Sequence, residues 1–80
     1  MVNRSVALAL GVEVLGADGL PIGAVKGLAP GALLIDRPWR RDLYVPYAAI
    51  RALRCGRVVL AVPAAQVGRM GWPHPPLLPL

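Results

Sequence analysis

Apolar residues recur along this chain in short runs with a period of two, and almost nowhere with the period of a helix. Val12-Glu13-Val14-Leu15 reads as a strand ended by Gly16. Ala17-Asp18-Gly19-Leu20 follows as a hairpin turn, because Asp and Gly accept positive φ. The return strand spans Ile22 to Leu28. Its alternation is imperfect, since Lys26 falls on the face of Ile22, Ala24 and Leu28, so a bulge at Gly23 or Gly27 is expected to reset the register. Ala29-Pro30-Gly31-Ala32 carries Pro then Gly at its centre, the signature of a type II turn. Leu33-Leu34-Ile35 is an apolar strand that ends at Asp36.

Residues 37–42 form a loop, Leu43-Tyr44-Val45 a strand stopped by Pro46, and Tyr47-Ala48-Ala49-Ile50 one tight turn. Extended chain resumes from Ile50 to Arg54, and Cys55-Gly56 makes a second hairpin. Arg57 to Val62 alternates cleanly, with Val58, Leu60 and Val62 on one face. Pro63 suits the first position of a short helix over residues 64–67, ended near Gly68. Short strands at close spacing predict an all-β fold: a small closed or strongly curled β-barrel of about six strands with a short C-terminal helical turn. An open sheet of this size would leave an apolar face wet. The domain is expected to run from residue 1 to 72, with Trp72 packed over its end. Residues 73–80 then form a proline-rich C-terminal tail with no strand or helix to join.

Composition adds a mismatch. Of 80 residues, 56 % are apolar and only 16 % charged. A core this small rarely supplies more than about 3–5 kcal/mol without a staple. Self-association is therefore expected, as a homo-oligomer that covers part of the apolar surface. A single cysteine, Cys55, excludes an intrachain disulfide and a Cys-based zinc site, and a single histidine, His74, excludes a His-pair metal site. Cys55 has no histidine near it in sequence to act as a base, and Gly16, Asp18, Gly19 and Gly23 lack the spacing of a phosphate loop. No catalytic residues, no cofactor and no metal are expected, and hence no enzyme.

No uncharged run approaches the roughly 18–20 residues that span a bilayer, so no integral membrane segment is expected. Ser5 to Val12, behind Arg4, resembles a signal peptide but lacks a small-x-small cleavage site, and reads instead as a first strand or apolar arm. A cytoplasmic location follows, with which a lone thiol agrees. Pro76-Leu77-Leu78-Pro79 has the PxxP form, but no basic residue accompanies it in the tail.

The net charge of +5 is unevenly placed. Arg37, Arg40 and Arg41 surround Trp39, and Arg51, Arg54 and Arg57 lie near the second hairpin. Arg and Trp are both enriched at protein interfaces, and Arg beside an aromatic also grips phosphate and stacks on bases. Arg37, Trp39, Arg40 and Arg41 are therefore the candidate partner-binding residues.

Three stretches, Gly11 to Val25 with its Asp18-Gly19-x-x-Ile22-Gly23 hairpin, Leu43 to Ile50 with Tyr44-Val45-Pro46, and Gly56 to Pro63, together resemble the PRC-barrel superfamily, in particular its short stand-alone bacterial members. The resemblance covers residues 11–72 and ends at Gly71-Trp72. It implies a small β-barrel that serves as a binding or assembly module. Relatives include the cytoplasmic domain of the photosynthetic reaction-centre H subunit and the C-terminal domain of a ribosome-maturation factor. The expected function is a non-enzymatic interaction module that self-associates or holds a protein partner. The alternative is an RNA- or ribosome-associated barrel using the Arg/Trp loop.

Overall fold

The computed structural model describes residues 10–76. The expected apolar arm over residues 5–9 and the PxxP beyond Pro76 lie outside the described residues. Six strands follow in order: β1 (Glu13–Leu15), β2 (Pro21–Ala29), β3 (Ala32–Asp36), β4 (Leu43–Pro46), β5 (Ile50–Arg54) and β6 (Arg57–Leu60). They form one sheet in the order β4-β3-β2-β1-β6-β5. β1 to β4 make an antiparallel meander, and β5 and β6 an antiparallel hairpin. The two units join where β1 and β6 run parallel, with Val14 opposite Val58.

The broken alternation of β2 comes from a bulge, as expected, but at Lys26 rather than at Gly23 or Gly27. Its register against β3 shifts between Val25 and Gly27, so Lys26 is the extra residue of a bulge. Val25 then turns into the core while Lys26 stays exposed. Alternate residues of β3, β4 and β6 point the same way. Val14, Val25, Leu33, Ile35, Leu43, Val45, Val58 and Leu60 form a single buried cluster. Each such side chain contributes about 1.5–3 kcal/mol when fully buried.

The sheet is open, which corrects the expected closed barrel: β4 and β5 end it and do not pair with each other. Two physical reasons are visible. Pro46 removes a backbone donor where the chain leaves β4, and the outer edge of β4 is already taken. The Tyr44 N–H donates to the Pro73 carbonyl at 2.9 Å. Next to it, Arg41 Nη2 donates to the Pro75 carbonyl at 3.1 Å, and His74 Nδ1 lies 2.9 Å from the Asp42 carbonyl. Residues 73–75 thus follow β4, although the sequence offers them no partner.

The remaining gap is filled from the C-terminal side. A 3₁₀ segment, Ala64–Arg69, stands where a helical turn is expected, and drops Val67 into the core. Trp72, half-buried, packs against the same cluster. The β1–β2 turn holds the start of this segment. Asp18 Oδ1 accepts from the N–H groups of Leu20 and Ala64, each at 3.3 Å. Gly16 has no Cβ to collide with the Ala64 backbone. The 3₁₀ segment therefore lies against the start of β2.

Candidate functional site

The loop between β3 and β4 carries all four candidate residues. Its first four residues make a turn, closed by the Arg40 N–H donating to the Arg37 carbonyl at 3.2 Å. Pro38 stands second and Trp39 third, with φ +62° at Trp39. Proline second and positive φ third define a type II turn, whose third position belongs to glycine or asparagine. An L-residue in left-handed backbone costs about 1–2 kcal/mol. The indole gains nothing in return from the described residues, since Trp39 is 102 % exposed.

The rest of the loop is fastened. Arg37 is only 8 % exposed, and its Nε donates to the Arg41 carbonyl at 2.9 Å. Burial is the main cause that lowers the basicity of Arg37, and the neighbouring charge of Arg40 adds to it. Arg41 is tied to Pro75, as described above. Asp42 Oδ2 pairs with Lys26 Nζ on the β2 bulge (contact of 2.6 Å), and this hydrogen bond and charge raise the Lys26 pKa.

The four residues thus divide. Arg37 and Arg41 use side-chain donors on backbone carbonyls and hold the loop. Trp39 and Arg40 face solvent, with no ion pair to Arg40 among the described residues. Directly beside the loop, a shallow groove is lined by Ile22, Gly23, Ala24, Asp36, Pro38 and Arg40, among others. Pro38 and Arg40, the two neighbours of Trp39, form part of its wall.

The second basic group lies elsewhere. Arg51 and Arg54 border a separate depression with Gly16 and Gly19, and Arg57 Nε pairs with Glu13 Oε1 at 2.9 Å. Cys55 is exposed and occupies the second position of the β5–β6 turn at φ +52°, with Gly56 third at +73°. Both central residues in left-handed backbone make this a type I′ hairpin. Among the described residues, no three His, Cys, Asp or Glu side chains cluster, and no helix is long and apolar enough to cross a membrane.

Two residues with a part in this region carry no signal in the sequence. Asp18 reads as a turn residue only, yet it also holds Ala64. Arg69 reads as one more surface cation, yet the 3₁₀ segment brings it across to Arg37 and Arg40. No family model matches the chain, and no curated protein matches it.

Proposed function

We propose that this chain is a non-enzymatic assembly module that pairs with a second copy of itself through the β3–β4 loop. The observation that carries this reading is Trp39, a fully exposed indole held in a backbone conformation that disfavours it. Local strain at an exposed, fastened loop is a feature of binding sites. Tryptophan is also the residue type most enriched among interface hot spots.

The surroundings favour a second copy as the occupant. A two-fold contact needs one patch to carry both a projection and its receptor. Here the projection, Trp39, and the groove share Pro38 and Arg40. The groove is apolar along Ile22, Gly23 and Ala24, which suits an indole. Its wall also holds Asp36, and the Arg40 of a facing copy complements that charge. An extended RNA backbone needs a run of free cations, whereas Arg37 is buried and Arg41 is tied to Pro75, which leaves Arg40 as the one fully free arginine of this loop among the described residues.

Light scattering of the full chain across a dilution series tests this reading. The expected mass is that of a dimer, and Trp39→Ala is expected to return the monomer with an unchanged circular dichroism spectrum. A wild type that is monomeric at every concentration overturns the proposal. So does a Trp39→Ala variant that remains dimeric. Oligomers that dissolve steeply with salt and vanish after nuclease treatment point to the RNA alternative instead.

A further inference from the structure

We infer that the cavity between the start of β2, the β3–β4 loop and the 3₁₀ segment is a binding site for a phosphate ester with a small apolar body. This inference goes beyond the proposed dimer: the cavity adjoins the dimer groove and shares Pro21, Ile22, Arg37 and Arg40 with it, but extends over the 3₁₀ segment, which the groove does not reach. The cavity measures about 760 Å³. That is the size of a small-ligand site.

Its lining is chemically one-sided. Arg37 and Arg40 reach it from the loop and Arg69 from the 3₁₀ segment, while no aspartate or glutamate lines it. Three of the nine cationic residues of the chain therefore meet at one opening. Neither Arg40 nor Arg69 has an ion pair among the described residues. Arg37 and Arg40 also repel each other, which adds to the burial that already lowers the basicity of Arg37. An anion between them removes that repulsion.

The count of charges selects the class of anion. A lone carboxylate brings one charge and two acceptor oxygens to three guanidinium groups, of which Arg37 alone also feels a nearby acid, Asp42. A phosphate monoester carries a charge of about −1.5 to −2 near neutral pH and offers three acceptor oxygens. Arginine forks match such oxygens in pairs. The opposite wall is apolar, formed by Leu20, Ile22 and Val67, among others. It suits the organic part of an ester and gives inorganic phosphate nothing to touch.

The probe is phenyl phosphate, added to the full chain and followed by amide chemical shifts. Saturable binding is expected, with shifts concentrated at Ile22, Val67 and Gly68. Phenol and inorganic phosphate are each expected to bind at least about tenfold more weakly, a difference of about 1.4 kcal/mol. Arg69→Gln is expected to weaken phenyl phosphate by about tenfold or more. Arg51→Gln, in the other basic group, is expected to leave it unchanged. Arg69 lines the cavity but not the dimer groove, so Arg69→Gln is expected to leave the oligomeric mass unchanged, and the dimer and this site fail separately. Failure to saturate overturns the inference, as do equal losses in Arg69→Gln and Arg51→Gln, or phenol binding as well as its phosphate ester. Phosphatidate vesicles that displace the probe assign the phosphate to a lipid headgroup. Vesicles that leave it bound assign it to a soluble ester. Both outcomes support the phosphoryl site.

Discussion

Two turns flank β3, and each has proline in its second position. Pro30 is followed by Gly31 at φ +80°, and Pro38 by Trp39 at φ +62°. Each turn is also tied down by a side chain. The Tyr47 hydroxyl donates to the Ala29 carbonyl at 2.9 Å, and Arg37 Nε donates to the Arg41 carbonyl at 2.9 Å. The backbone problem is the same, but only the first turn solves it with the residue that fits. The second keeps a bulky side chain in left-handed backbone and points it at water. A buried arginine holds that arrangement in place. A local rule broken without any gain among the described residues is what motivates the proposed contact at Trp39.

The comparison can be broken in four places. The largest effect is expected from Arg37→Ala, which removes a charged hydrogen bond from a buried site and leaves the Arg41 carbonyl without its donor. A loss of about 2–3 kcal/mol in urea denaturation is expected. A loss no greater than that of Arg51→Ala would show that Arg37 does not hold the loop. Tyr47→Phe removes the tie of the first turn while keeping the ring, with an expected loss of about 1 kcal/mol. Gly31→Trp gives the first turn the residue of the second: about 1–2 kcal/mol of strain, less about 0.5–1 kcal/mol of recovered chain entropy, leaves an expected net loss of about 0.5–1 kcal/mol. An unchanged melting midpoint would mean that tryptophan is at ease in such a turn, and Trp39 would lose its significance. The fourth effect is equally small and has the opposite sign. Trp39→Gly relieves about 1–2 kcal/mol of strain and gives back about 0.5–1 kcal/mol to chain entropy, so a net gain of about 0.5–1 kcal/mol is expected for the monomer. Measured at a dilution where light scattering shows monomer, a loss of stability would assign the indole to the fold rather than to a partner.

The strands and three of the turns were legible because their causes are local. Asp18-Gly19, Pro30-Gly31 and Cys55-Gly56 announce positive φ through residue type, and glycine takes it at all three, with Cys55 joining Gly56 in the last. The Pro38-Trp39 turn hides the same geometry, since nothing about tryptophan signals left-handed backbone. The parallel pairing of β1 with β6 was also hidden. It joins residues more than forty positions apart, and neither strand carries a pattern that names the other. The closed barrel was the natural extrapolation from six short strands, but closure depends on what reaches the last edge first. Here Pro73 reaches β4. The candidate loop was visible as a cluster of arginines around a tryptophan. Which arginines hold the loop and which face solvent depends on burial and on carbonyls brought in from residues 41 and 75, and composition carries no trace of either. For the same reason Arg69 drew no notice: its neighbours come from β2 and the loop, not from its own segment.

The segment along β4 has one more consequence. An exposed strand edge invites further strands, each offering a fresh edge to the next, and so grows into fibres. Residues 73–76 accept the Tyr44 N–H but contain three prolines, Pro73, Pro75 and Pro76, with no N–H of their own to pass on. Strand addition on this side ends at its first step. β5, at the opposite side of the sheet, presents Arg51 and Arg54, whose like charges repel a second copy of the same strand. A chain this apolar is thereby steered away from open-ended growth along its sheet edges.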